Sequence, residues 1–377
     1  MKKELQQLFL AMPVPDELAS QRRAWNVVRA AYAEREPVRR PRRRVAPALA
    51  FALVTAAVVA AVVTPVRGWI SDRVEGEQNA RPALFGIPAA GRLLVVSERG
   101  PWVVQRDGSK RLLGRYQGAD FSPRGLFLVV TSGRRVTAVE PDGDPHWSVT
   151  RPQPVADARW APSGFRVAYR AGDTLRVVDG NGTDDRLLAR EVAHLAPAWR
   201  LDPAEKNVLA YADENGRVHV VDVDTRRELQ LTKPGPPVRK LVWPPAWVRP
   251  VAVREKSVLD VAYSADFRAV TRFDPTEERT SIFVTGCPRG ADCIPTERRV
   301  FTGAGRFEDL VWSPDGRWLL VTWPDADQFL FLRLEFPLRG QLALRKIVAV
   351  SGIRREFDPG GEGFGAFPRV AGWCCAP

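Results

Sequence analysis

The 377-residue sequence predicts an all-β fold in which a four-stranded unit is repeated about seven times and closed into a ring, anchored to a membrane by one N-terminal helix. Three observations predict it. An aromatic residue followed by a tight turn recurs about every 38 residues, short alternating apolar runs fill the intervals, and one uncharged stretch of 22 residues lies near the start.

The first element is basic. Residues 1–44 hold eleven Lys/Arg and five Asp/Glu, so about half of the net charge of +12 sits there. The other 333 residues carry 45 basic and 39 acidic side chains and are close to balanced, which argues against nucleic acid as a partner. KKELQQLFLAM and DELASQRRAWNVVRAAYAERE read as two short helices, the second with Leu18, Trp25, Val28 and Tyr32 near one face. That stripe is too small for a domain core. Trp25, Val28 and Tyr32 are therefore expected to meet a cytoplasmic protein or the membrane surface.

The second element is the uncharged run 45–66, VAPALAFALVTAAVVAAVVTPV. As a helix it is about 33 Å long, against a hydrocarbon core of about 30 Å. Five arginines between Arg39 and Arg44 precede it, and Arg67 and Trp69 follow. The positive flank predicts a cytoplasmic N-terminus and an extracytoplasmic C-terminal part, with Trp69 at the far interface. Forty-four residues are too many for the basic region of a cleaved signal peptide. Residues 67–84 are expected to be a linker.

The third element is the repeat, 85–377. Its anchors are Phe121, Trp160, Trp199, Trp243, Phe273 and Trp312, separated by 39, 39, 44, 30 and 39 residues. Pro follows two positions later at Pro123, Pro162, Pro245, Pro275 and Pro314. Pro fixes φ and Gly permits positive φ, so SPRG, APSG and SPDG are turns between strands. GRLLVVSE, PWVVQRD and KRLLGRY are three strands with no anchor strand before them, whereas PRVAGW, ending at Trp373, is an anchor strand with nothing after it. Joining the last strand to the first three removes both deficits and the exposed edges of an open stack. The expected architecture is a β-propeller of seven four-stranded blades, the fifth short and the sixth interrupted by RGADCIP. The anchors, including Trp373, are expected to pack between blades.

The aromatic-SPDG turns resemble those of TolB-type and WD-repeat propellers over about residues 85–375. The Gly-His and Trp-Asp dipeptides of WD repeats are missing, which makes the TolB type the nearer comparison. The basic tail, single span, RLLV…GPWVV…DGSKRLLG opening and WCC ending together resemble a family of actinobacterial single-pass membrane proteins carrying such a propeller. The resemblance implies a fold and a topology and no activity.

Little in the chain suggests catalysis. DGNGTDD (179–185) spaces its oxygens like a calcium loop, but Asp184 stands where the loop needs Gly and Arg190 where it needs Glu, so a hairpin turn is the better reading. PDGDP (141–145) reads the same way. His146, His194 and His219 fall in different blades without metal-ligand spacing, and no nucleophile elbow, phosphate loop or dinucleotide fingerprint occurs. No catalytic residue, metal ligand or cofactor is assigned.

All four cysteines lie beyond the span. Cys287 and Cys293 flank a turn, and a bridge between them would stabilise the loop by roughly 2 kcal/mol. For Cys374 and Cys375 a vicinal bridge, free thiols and pairing elsewhere all remain open.

The sequence thus favours a non-catalytic, membrane-anchored sensor or scaffold whose propeller binds a protein or small ligand. A short cytoplasmic segment before one span is similar to membrane-bound anti-sigma factors, although their zinc-binding His/Cys motif is absent here. The competing reading is an anchored extracytoplasmic enzyme or envelope-processing factor with a site built from propeller loops.

Overall fold

Apolar alternation broken by Gly and Pro gives 27 strands and almost no helix across the residues that the computed structural model describes: 81–82, 85–200, 207–245, 249–286, 296–335, 342–358 and 365–375. The segment 1–44, the run 45–66, and the pair Cys287 and Cys293 lie outside them. Among the described residues no helix is long and apolar enough to cross a membrane.

The strands form seven antiparallel sheets, numbered here as blades. Blade 1 joins β27 (Arg369–Cys374) to β2 (Arg92–Ser97), β3 (Gly100–Val104) and β4 (Ser109–Leu112). A two-residue strand, β1 (Arg81–Pro82), pairs with the outer edge of β4. Blade 2 is β5 (Gly118–Phe121), β6 (Leu128–Ser132), β7 (Arg135–Val139) and β8 (Pro145–Thr150). Blade 3 is β9 (Val155–Trp160), β10 (Arg166–Ala171), β11 (Thr174–Asp179) and β12 (Arg186–Ala189). Blade 4 is β13 (Ala198–Trp199), β14 (Val208–Ala212), β15 (Val218–Asp222) and β16 (Arg227–Leu231). Among the described residues blade 5 has two strands, β17 (Lys240–Val242) and β18 (Val251–Val253). Blade 6 is β19 (Val258–Tyr263), β20 (Phe267–Asp274), β21 (Arg279–Gly286) and β22 (Arg298–Ala304). Blade 7 is β23 (Leu310–Trp312), β24 (Trp318–Trp323), β25 (Gln328–Glu335) and β26 (Ala343–Ser351).

The first strands touch in the order β5, β9, β13, β17, β19, β23, β27 and back to β5, which closes a seven-membered ring. The last strand completes the first blade, with Leu93 opposite Trp373 and Leu94 opposite Gly372. Seven apolar clusters account for the core, one at each boundary between neighbouring blades. Propeller geometry and ring closure are therefore present, with two departures from expectation. Four strands per blade fails at blade 5. Arg81 and Pro82, in the stretch expected to be linker, pair with Lys110 and Ser109.

The turn after the anchor has the same construction in blades 2 and 7. In blade 7, Ser313 N–H donates to Trp318 O (2.8 Å), Gly316 N–H to Ser313 O (2.9 Å) and Trp318 N–H to Ser313 Oγ (2.9 Å). Ser122 repeats the three bonds with Phe127 and Gly125 in blade 2. Gly125 and Gly316 close these turns at φ +64° and +66°, where a side chain would be strained.

This turn chemistry corrects one anchor. Phe273 lies in β20, the second strand of blade 6, beneath the Arg306 guanidinium (4.4 Å). FDPTEE is the hairpin leading to β21, with Asp274 Oδ1 accepting Thr276 N–H (2.8 Å). The anchor position belongs to Tyr263, followed by Ser264, which exchanges the same bonds with Phe267 (2.8 and 3.0 Å). YSADF lacks the Pro and Gly that made the other turns visible. With Tyr263 in place the spacings are 20 and 49 residues, the first a two-stranded blade and the second a long one.

Candidate functional site

Three acids on or next to first strands reach across blade boundaries. Asp120 of β5 accepts the N–H of Trp160 in β9 (2.9 Å). Asp260 of β19 accepts the N–H of Leu310 in β23 (2.8 Å), and Asp309, just before β23, accepts the N–H of Val370 in β27 (2.8 Å). Each bond crosses one blade boundary. A first strand has pairing partners only within its own blade, so a carboxylate that reaches sideways satisfies a neighbour's backbone donor. The other Asp260 oxygen pairs with Lys240 of β17, so one side chain joins blades 5, 6 and 7.

Enclosure has an electrostatic consequence. Burial pushes the Asp309 carboxyl up to about 6, helped by the nearby charge of Asp260, while the Val370 N–H, Lys240 and Arg369 hold it down. Burial also raises Asp120, opposed by Arg159 and the Trp160 N–H. Asp260, Asp309 and Lys240 form an acid–base grouping with a carboxyl raised to about 6, and three of its carboxylate oxygens accept main-chain donors, the N–H groups of Val261, Leu310 and Val370. Their sequence signal is an acid one or three residues before the anchor, in GADF, LDVAY and EDLVW. Acids near strand ends are common, so this pattern does not stand out along a single strand.

Phe121, Trp160, Trp199, Trp243, Trp312 and Trp373 are each under a tenth exposed and stand at blade boundaries. The indole of Trp199 donates to Arg159 O (3.0 Å), that of Trp312 to Ala262 O (3.3 Å) and that of Trp373 to Ala90 O (3.2 Å). Trp25, Val28 and Tyr32 fall outside the described residues.

The loop 179–185 is the β11–β12 hairpin, and its acids are engaged by arginines. Asp185 is bound by Arg151, Arg176 and the Tyr169 hydroxyl, and Asp179 by Arg166. His146 stacks on Phe127, and His194 Nε2 lies 2.9 Å from Asp173. His219 lies flat on Tyr211 (4.6 Å, 2°) between Glu228 (2.7 Å) and Asp213 (3.3 Å). Burial and those two carboxylates push the Tyr211 hydroxyl up to about 12. Among the described residues no group of His, Cys, Asp and Glu has the geometry of a metal site. Cys374 and Cys375 are joined in a disulfide beside the Ser122 and Pro123 carbonyls.

One surface feature does not serve the fold. The residue after the turn glycine is Leu126 in blade 2, 62% exposed, and Phe165 in blade 3, 69% exposed. The equivalent residue in blade 7 is the exposed Arg317, so the turn itself does not require an apolar side chain. Leu126 and Phe165 are thus exposed apolar side chains at matching places on neighbouring blades.

No family model matches the chain, and no curated protein matches it. Solved structures similar to it include Kluyveromyces lactis Hsv2p, at 13% identity over 68% of this chain and 95% of that one, with a TM-score of 0.48. The β-propeller domain of Myceliophteria thermophila Cps50 (Swd1) is similar at 14% identity over 71% and 88%, with a TM-score of 0.39. Kuenenia stuttgartiensis hydrazine synthase is similar at 13% identity over 67% and 79%, also with a TM-score of 0.39.

Proposed function

We propose that the chain is a non-catalytic, single-pass membrane protein whose extracytoplasmic propeller binds a protein as sensor or scaffold, and whose residues 1–44 contact a cytoplasmic partner in the manner of an anti-sigma factor. The observation that carries the binding reading is the exposure of Leu126 and Phe165 at equivalent turns. The five arginines before the uncharged run support the topology, and Trp25, Val28 and Tyr32 support a cytoplasmic contact. The test is cross-linking of the full-length protein in its native membrane. Leu126→Asp with Phe165→Asp should abolish the outer cross-link and leave the melting temperature unchanged. Trp25→Ala with Val28→Ala should abolish a cytoplasmic one while the protein stays in the membrane. An outer cross-link that survives the first pair sinks the assignment of that face.

A second reading has one observation in its favour. Asp309, with its carboxyl at about 6 beside Asp260 and Lys240, could exchange a proton near neutral pH, as an anchored enzyme would require.

A further inference from the structure

We propose that blade 5 is an open blade that takes an acidic, extended segment of another protein as its third strand. The inference rests on the reading of the propeller as a protein-binding module, but it concerns a surface other than Leu126 and Phe165.

Six sheets have four or more strands and blade 5 has two, so no described strand pairs with the outer edge of β18. The Val253 carbonyl accepts Arg239 N–H on the β17 side. Strand groups alternate, so the N–H and C=O of Ala252 point outward, as a strand-adding partner requires. The neighbouring wall shows the same vacancy. Val261, Val270, Phe283 and Arg299 form one row across the four strands of blade 6, on the face toward blade 5. Val261 and Val270 are buried but Phe283, in the third strand, is only half-buried, whereas Leu330, at the same third-strand place on the wall of blade 7 that faces four-stranded blade 6, is 2% exposed. The Arg272 guanidinium lies over the Phe283 ring at 4.6 Å.

Charge selects the occupant. Residues 233–256 hold six Lys/Arg and one Glu. Arg239 donates to the Glu255 and Lys256 carbonyls, and Arg254 to those of Pro236 and Gly216, so neither charge is spent on a carboxylate there. Arg249 and Lys256, at the two ends of β18, are exposed. A basic edge repels a second copy of itself and attracts an acidic strand.

The probe is a fluorescein-labelled peptide of four Glu-Val repeats, with four Lys-Val repeats as control, titrated into the full-length protein in detergent. The Glu-Val peptide should bind at least tenfold more tightly and slow amide exchange at Ala252 at least tenfold. Ala252→Pro removes the outward N–H and leaves β17 pairing intact, as edge strands allow. It should weaken binding at least tenfold, with the melting temperature within a few degrees. Equal affinity for the two peptides, or no slowing at Ala252, overturns the proposal. So does an Ala252 amide already protected before peptide is added, which would mean that the chain itself or a second copy fills the edge. These outcomes leave the cross-link at Leu126 and Phe165 to its own test, so failure here is separable from failure of the binding reading.

Discussion

Two blade boundaries of one ring differ sharply. Where blade 7 meets blade 1, sixteen buried residues form the cluster, among them Trp102, Trp318, Phe329, Phe331, Phe357 and Trp373. Where blade 5 meets blade 6, the buried cluster among the described residues is Val258, Val261 and Val270. The chain passes from blade 7 into β27, but β27 meets β2 and the rest of blade 1 only through hydrogen bonds and packing, so non-covalent contacts must hold the closure. Lys110 adds a buried pair with Glu356 of the short helix Ile353–Phe357, its ammonium over the rings of Trp102 and Phe357. The second boundary is crossed by the four-residue link between β18 and β19, so weak packing there does not open the ring. The largest apolar cluster thus lies beside the strand that closes the ring without a covalent link, and the smallest lies beside the two-stranded blade 5.

The largest expected effect is at the closure. Trp373 packs edge-on against Phe331 (5.8 Å) and is 7% exposed. Trp373→Ala should cost about 3–5 kcal/mol in denaturant unfolding. Removing 369–377 should abolish cooperative unfolding altogether, and an unchanged melt would mean that closure does not hold the ring.

Next comes the bond from Asp309 to blade 1. The carboxyl is raised from 3.8 to about 6, so the folded state holds its proton more tightly than the unfolded chain. Its contribution to stability is full below pH 4 and is lost as pH rises through 6. Asp309→Asn keeps an acceptor for Val370 N–H and removes that slope, so it should gain about 1–3 kcal/mol over wild type between pH 4 and 7. Asp309→Ala leaves the N–H unmet and should lose about 1–3 kcal/mol at pH 4, where the charge no longer matters. Equal pH slopes for wild type and the Asn variant would remove Asp309 as the titrating group.

The smallest effect belongs to the thin boundary. Arg272 is paired with Glu297 (2.6 Å) at a partly exposed site. Arg272→Ala should change stability by no more than about 1 kcal/mol, since screened surface pairs contribute little. A loss comparable to that of Trp373→Ala would show that the wall of blade 6 beside blade 5 is held as strongly as the closure.

The sequence by itself determined the class of fold, the ring and its closure. Aromatic–Ser–Pro–x–Gly is a local code: Ser caps the turn, Pro sets φ, Gly accepts positive φ, and the ring that follows is buried between blades. Local codes can be read without knowing what lies across the boundary, so Phe121, Trp160 and Trp312 were legible, while Trp373 followed from the strand deficits at the two ends. Where the code weakens, in YSADF, reading slipped by ten residues to Phe273. Only the tertiary structure decided the rest. That blade 5 stops at two strands depends on how residues 240–263 are divided between two sheets, and apolar alternation is the same for either division. Asp120, Asp260 and Asp309 look like ordinary turn acids until the next blade brings a backbone N–H within 3 Å. Leu126 and Phe165 look like core residues until the turn glycine before them sends both outward. The aspartate bonds join segments 40 to 61 residues apart and the exposure of Leu126 and Phe165 belongs to a solvent boundary, and a pattern read along one strand contains neither.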